Sequence, residues 1–331
     1  MPDVRRPQPT SRDPLGEALH LLQLTGTLYC QSELTEPWGI DVPRLEGCST
    51  FQIVTAGRCW LEVEGAPPRW LATGSLTLIP HGTPHRARSD PRAETSPLFD
   101  LPVQPITDRY ETLHHGGGGA RTAITYGVVR FDHVAAHRLL ALLPTLLHID
   151  TLDEQTDGWL QSTARWVTRE ARALRPGGET VITRLADLLV IQAIRAWIDR
   201  APEAQQGWLA ALRDDRVGRA LAAMHRDPAH AWTVPSLSKE AGMSRSAFSA
   251  RFTRLVGEPA MQYLTQWRMQ LARTHLRDCP EPLGSVAARF GYGSEAAFCK
   301  AFKRTFGASP GSVRSEPRPG WVDPAREPSK P

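Results

Sequence analysis

The chain has no apolar run of the roughly 20 residues needed to cross a bilayer. Its opening stretch, Met1 to Pro14, is polar and proline-rich and lacks the apolar centre of a signal peptide. Export and membrane attachment are therefore not expected, and a cytoplasmic location is. Cysteine is sparse: Cys30, Cys48, Cys59, Cys279 and Cys299 form no CxxC and no close pair. An odd, sparse set in a chain this long suggests reduced thiols in a cytosol. The glycine run Gly116–Gly119 is not followed by the Lys-Ser/Thr of a phosphate-binding loop, so nucleotide binding has no support. No catalytic constellation stands out, and no cofactor is expected.

What the chain does have is an uneven charge distribution. Its 331 residues suffice for two cored domains. The net charge of +4 hides a split. Residues 1–206 hold 20 Lys+Arg against 24 Asp+Glu, giving −4, and residues 207–315 hold 16 against 8, giving +8. A basic segment of that kind is what a domain meeting phosphate should show; an unremarkable basic surface is the alternative.

The pattern along the chain predicts an α+β protein. Gly26–Cys30, Thr50–Val54, Cys59–Val63, Ser75–Ile79 and Ala123–Phe131 read as short strands bounded by glycine and proline, as in a sandwich or barrel. Asp100–Thr112 and Gly116–Gly119 read as loops. From about Ala135 the period becomes helical, through Leu139, Leu140, Leu142 and Leu143 to Pro144, then Trp159–Leu174 and Val181–Ile198. That helical pair suits either a dimer interface or packing within the monomer. The expected organisation is a flexible segment 1–12, a barrel 13–134, a helical dimerisation segment 135–200, a linker 201–207, a helical domain 208–315 opening with one helix over Trp208–His225, and a disordered tail 316–331.

Within the basic segment two stretches repeat at an offset of 50 residues: Phe248, Phe252, Arg254 and Gly257 return as Phe298, Phe302, Arg304 and Gly307. Each set follows a short helix and a glycine turn, Gly242-Met243-Ser244 and Gly291-Tyr292-Gly293. This is a helix-turn-helix written twice. Phe248, Phe252 and Leu255 share one apolar face, as do Phe298, Phe302 and Phe306 in the second copy. Arg245, Ser246, Ser249 and Ala250 lie elsewhere on the first helix, and Glu295, Ala296, Lys300 and Lys303 face outward on the second. Small and polar outward residues let a helix approach base edges in the ~12 Å major groove. Arg251, Arg254, Lys303 and Arg304 suit phosphate. Ala260–Asp278, free of Gly and Pro, reads as one helix holding the two units apart.

Trp232–Arg314, above all GYGSEAAFCKAFKRTFGASPGSVR, resembles the AraC/XylS family of bacterial transcription regulators. The resemblance implies two helix-turn-helix subdomains joined by a long helix, with base contacts from Ser246, Ser249, Ala250, Glu295, Ala296 and Lys300. It implies promoter or operator DNA as partner, RNA polymerase as a second, and a homodimer. Upstream, Gly74-Ser-Leu-Thr-Leu-Ile-Pro80-His-Gly82-Thr-Pro-His85 fits the second motif of cupin barrels, G-x5-P-x-G-x2-H. Longer stretches, among them Gly57-Arg-Cys-Trp60-Leu and Gly127–Asp132, resemble the cupin-type ligand-binding domain of one branch of that family. A small-molecule effector is then implied, with Gln52, Trp60, His81 and His85 as candidate ligand-binding residues.

Metal-binding cupins carry an HxH on an earlier strand, and here Gln52 stands where a histidine would be wanted. No metal is expected, and Cys48, His81 and His85 are the alternative ligand set. Related chains often carry a cysteine where this one has Tyr126, which weakens a thiol pair with Cys30; Cys30 is either a redox thiol or a buried structural residue. The leading expectation is an effector-responsive, sequence-specific DNA-binding regulator, not an enzyme. The alternatives are a metal-dependent cupin enzyme fused to a DNA-binding domain, and a barrel serving only as a dimerisation scaffold.

Overall fold

A computed structural model of the chain describes residues 24–107, 109–131, 139–149, 159–173, 175–200 and 207–314. The expected N-terminal segment 1–12, the tail 316–331 and all but the last residue of the linker 201–207 lie outside them. The described residues divide into a β-rich unit reaching Asp199 and a helical unit from Arg200 onward. Among them no helix is long and apolar enough to cross a membrane.

The first unit holds β1 (Leu24–Thr35), β2 (Gly39–Val42), β3 (Ser49–Ala56), β4 (Arg58–Val63), β5 (Arg69–Ala72), β6 (Leu76–Ile79), β7 (His85–Arg88), β8 (Ser96–Pro97), β9 (Val103–Thr107), β10 (Tyr110–Gly116), β11 (Arg121–Phe131) and β12 (Leu147–Ile149). They form a seven-stranded sheet, β12-β6-β3-β11-β1-β10-β9, and a five-stranded sheet, β5-β4-β7-β2-β8. Side chains alternate across each strand. Leu28, Cys30 and Leu34 of β1, Ile124 and Val128 of β11, and Cys59, Leu61 and Val63 of β4 share one core. The intervening Tyr29 and Phe51 are also buried, ring against ring at 6.2 Å. Strands buried on both faces read as apolar runs rather than clean alternation. Helix α1 (Trp159–Ala173) packs against β3, and α2 (Gly178–Arg200) follows it.

Three expectations are corrected. Most of the stretch expected as a loop, Asp100–Thr112, is β9 and the start of β10. β9 is a sheet edge carrying Pro105, and its residues are largely exposed, so its text is polar. Proline is tolerated there because an edge strand leaves one row of backbone groups unpaired. Beyond Pro144 the chain does not go straight to helices: β12 adds to the barrel by pairing with β6. The single helix expected over Trp208–His225 is two, α3 (Gly207–Arg213) and α4 (Val217–Arg226). Asp214 divides them, its carboxylate accepting from the Arg216 and Val217 amides at 3.1 and 2.9 Å. An acceptor side chain at such a position starts a new helix rather than continuing the old one.

The helical unit continues with α5 (Val234–Glu240), α6 (Arg245–Val256), α7 (Ala260–Asp278), α8 (Leu283–Arg289), α9 (Glu295–Phe306) and α10 (Pro310–Arg314). Pairs α5–α6 and α8–α9 are the two helix-turn-helix units. Helix α5 opens on a capping box between Thr233 and Ser236. Helices α6 and α9 open on Ser244 and Ser294, whose hydroxyls accept from the Ala247 and Ala297 amides, and both close on a left-handed glycine, Gly257 and Gly307.

The two turns differ in how tightly they are held. Gly242 and Gly291 both have positive φ, 64° and 78°. A Cβ on Gly291 would lie 2.5 Å from the Ala229 carbonyl oxygen, whereas on Gly242 it would meet only the tip of Arg219 at 3.0 Å. Replacing Gly242 by Ala should cost about 1 kcal/mol for the left-handed backbone. Gly291→Ala should cost at least about twice that, because backbone must move as well. Urea unfolding of the two variants, followed by helical circular dichroism, checks the order.

Candidate nucleic-acid interface and barrel cavity

In each helix-turn-helix unit an aromatic pair turns the second helix. Phe248 and Phe252, at i and i+4 of α6, are fully buried, and so are Phe298 and Phe302 of α9. Burying these rings sends the opposite side of each helix to solvent. Arg245, Ser246, Ser249, Ala250 and Arg254 are exposed on α6, and Glu295, Ala296, Lys300, Lys303 and Arg304 on α9. The expected outward faces are thus both available to a partner.

Arg251 is the exception. Its guanidinium is turned back onto Asp214, with Nε and Nη donating to one carboxylate oxygen at 3.0 and 2.5 Å. The residue expected to be free for phosphate instead ties α6 to the α3–α4 corner. The same carboxylate accepts from the Arg216 and Val217 amides where α4 begins. Partial burial would raise its pKa, but the hydrogen bonds from Arg251, Val217 and Arg216 outweigh this and hold it below the usual carboxylate range. Nothing in the sequence marks this pair, because 37 residues separate the partners.

Helix α7 carries both units. Tyr263 and Trp267 are buried against the first: Tyr263 meets Phe252 edge-on at 5.8 Å, and its hydroxyl accepts from Trp208 Nε1 at 2.9 Å. Further along the helix, Met269, Ala272 and Leu276 enter the core of the second unit with Phe298 and Phe302. Between the two sets, Arg268 donates to the Pro228 and His230 carbonyls at 2.6 and 2.7 Å and lies 6.0 Å from the Tyr292 ring. Arg268 therefore joins the loop before α5 to the turn between α8 and α9.

The chain matches the helix-turn-helix family over residues 237–316 and the cupin family over residues 13–199. It is 36% identical to an AraC-like transcription regulator of Streptomyces lividans, over 92% of this chain and 99% of that one. A second AraC-like regulator, from Streptomyces antibioticus, is 33% identical over 93% of this chain and 100% of its own length. The HTH-type transcriptional regulator AlkR of Acinetobacter baylyi is 30% identical over 80% and 87%. The chain belongs to the AraC/XylS family of transcription regulators. Its fold is a cupin barrel followed by the family's doubled helix-turn-helix, and it is a DNA-binding regulator of transcription.

The barrel of this AraC-type regulator encloses a cavity walled mainly by Leu, Ile and Val side chains from both sheets. Its volume is ≈ 130 Å³, roughly ten times what a single water needs. Gln52 and His85 line it. Trp60 does not: on β4 the inward residues are Cys59, Leu61 and Val63, so Trp60 faces out. There its ring meets Trp70 at 5.4 Å and its Nε1 donates to Glu62 at 2.9 Å. His81 is also outside, on an exposed turn with Nε2 3.1 Å from the Leu143 carbonyl. Cys48 is buried in the apolar core. The three candidate metal ligands are not brought together, and among the described residues no group of three or more His, Cys, Asp or Glu could hold a metal.

Sequence reasoning missed Glu111, Ser32 and Tyr126 in the lining. Glu111 fell in the expected loop and Ser32 beyond the expected strand Gly26–Cys30, which runs on to Thr35; Tyr126 was legible as a position on the expected strand Ala123–Phe131. Cys30 also lines the cavity, 3.6 Å from the Ser32 hydroxyl, and burial pushes its thiol up to about 12. Burial in apolar surroundings disfavours the thiolate, the form in which a cysteine reacts.

Two outcomes follow from this geometry. Asp214→Ala removes the acceptor of the Arg216 and Val217 amides and frees Arg251, and should destabilise the helical unit by about 1 kcal/mol, measured by urea unfolding. His85 is driven the other way from Cys30: burial lowers its pKa to about 4. Above pH ~6.5 neither the folded nor the unfolded chain protonates it. As pH falls from there towards about 4, the unfolded chain takes up a proton that the folded barrel refuses, so stability drops by roughly 3 kcal/mol. In His85→Gln that part of the acid loss should vanish, which denaturant titrations across this range would reveal.

Proposed function

We propose that the chain reads operator DNA with α6 and α9 in successive major-groove segments and responds to a small molecule held in the barrel. The observation that carries this reading is the pair of solvent-facing helix surfaces mounted on one shared helix. Ser246, Ser249 and Ala250 are the base-facing residues of α6, and Glu295, Ala296 and Lys300 those of α9. Glu295 suits cytosine N4 as an acceptor and Lys300 suits guanine as a donor. Arg245, Arg254, Lys303 and Arg304 supply phosphate contacts and so the salt dependence. Arg251 acts in this scheme by positioning α6, through Asp214.

The effector alters DNA affinity by its different affinity for two states of the protein. The homodimer forms through α1 and α2, a reading supported by Trp166 of α1 and Val181 and Leu188 of α2, large apolar side chains left exposed. RNA polymerase is the second partner and the cytoplasm the site of action. We read the barrel as a binding module rather than an enzyme, consistent with the names of the related regulators.

Selection from a random duplex pool with the full chain tests the DNA reading. A defined preferred sequence should emerge. Glu295→Gln and Lys300→Met should change the selected bases at one end of it, by about 1–3 kcal/mol per position. Lys303→Ala should weaken all sequences alike and lower the salt slope by about one. Enrichment of no sequence by the full chain would refute the assignment.

A further inference from the structure

The apolar cavity of the barrel is crossed by a line of polar side chains. Strand register places Thr77 of β6, Gln52 of β3, Tyr126 of β11, Cys30 of β1 and Glu111 of β10 successively opposite one another. Residues paired in this way project to the same face of a sheet. The last four line the cavity, and His85 joins them from the facing sheet, its ring 6.2 Å from that of Tyr126.

Gln52 and His85 are almost fully buried and have hydrogen-bonding capacity unmet by the protein, and the hydroxyls of Thr77 and Tyr126 are likewise without a partner. Gln52 and His85 are each 3% exposed, and the Nε2 of each has no partner. The role of the histidine is set by its other nitrogen. His85 Nδ1 lies 2.9 Å from the Thr83 carbonyl oxygen, which can only accept, so Nδ1 carries the ring proton. In a neutral ring Nε2 then holds a lone pair. Burial lowers the pKa of this histidine to about 4, which keeps the ring neutral at ordinary pH. The cavity therefore presents a donor without an acceptor at Gln52, an acceptor without a donor at His85, and the carboxyl group of Glu111 nearby. Buried groups in that condition favour a ligand that satisfies them.

A hydroxyl is the simplest group that both donates and accepts. We infer that the cavity binds a neutral, largely apolar alcohol or phenol, whose hydroxyl donates to His85 Nε2 and accepts from Gln52 Nε2, while its hydrocarbon part lies among Leu28, Leu34, Leu113 and Val128. A carboxylate ligand has no proton for His85, and carrying its charge into an apolar cavity costs more than carrying in a neutral hydroxyl. An ether can accept from Gln52 but has nothing to give His85. This inference rests on the reading of the barrel as the effector site.

The test is calorimetric titration of the full chain with three probes of similar length: n-octanol, methyl n-octyl ether and octanoate, at neutral pH. Wild type should bind n-octanol about tenfold more tightly than either of the others, the margin of one good hydrogen bond. His85→Phe should erase the margin of octanol over the ether, and Gln52→Leu should weaken both. Octanoate or the ether binding as tightly as octanol to wild type, or no binding of any of the three, overturns the inference; so does a margin that survives both substitutions in proteins whose circular dichroism is unchanged. Affinity for the selected duplex, measured with and without saturating octanol, reads the regulatory proposal separately. Octanol bound in the cavity with no change in DNA affinity would support the ligand assignment and remove the effector role.

Discussion

Helix α7 belongs to two cores at once, and the DNA-reading half of the chain depends on that. Tyr263 and Trp267 are buried with the first helix-turn-helix unit, and Met269, Ala272 and Leu276 with the second. A rod with no Gly or Pro over 19 residues cannot easily bend between them. Any movement of one recognition helix relative to the other must break a packed aromatic contact or bend that rod. Arg268 adds a polar tie at the junction, using carbonyls of the 228–230 loop that no helix satisfies. The spacing of α6 and α9 is thus a property of side-chain packing rather than of linker length.

The barrel works under a different constraint. The central strands of its seven-stranded sheet, β3, β6 and β11, are buried on both faces, so every polar residue they carry inward must find a partner or leave a group unmet. Ser49 finds the Pro80 carbonyl and Thr125 the Gln31 amide oxygen. Gln52 and His85 do not find partners for their Nε2 atoms. Gln52 of this sheet and His85 of the facing one leave those atoms turned to a cavity, so stability comes second at that place, as in binding sites.

Much of this architecture was legible because its signals are local. Phenylalanines at i and i+4, a serine cap and a glycine stop define α6 and α9 wherever they occur. The strands with β-branched or aromatic runs were equally plain. The errors share one cause, which is that local text cannot report distant partners. The edge strand β9 reads as loop because solvent, not a neighbour, faces it. The break between α3 and α4 hides in an Asp214-Asp215 pair that could equally well decorate one exposed helix. Trp60 looked like a cavity residue until the parity of β4, set by its pairing with β5 and β7, turned it outward.

Sequence by itself determined the family, the doubled helix-turn-helix, the charge asymmetry and the outward faces of the recognition helices, because each is encoded within a few turns of helix or in composition. Tertiary structure alone decided that Arg251 holds Asp214, that Arg268 ties the two units together, and which polar side chains meet inside the barrel. Those outcomes depend on residues tens of positions apart reaching hydrogen-bond distance. Only the packing of whole elements sets such distances.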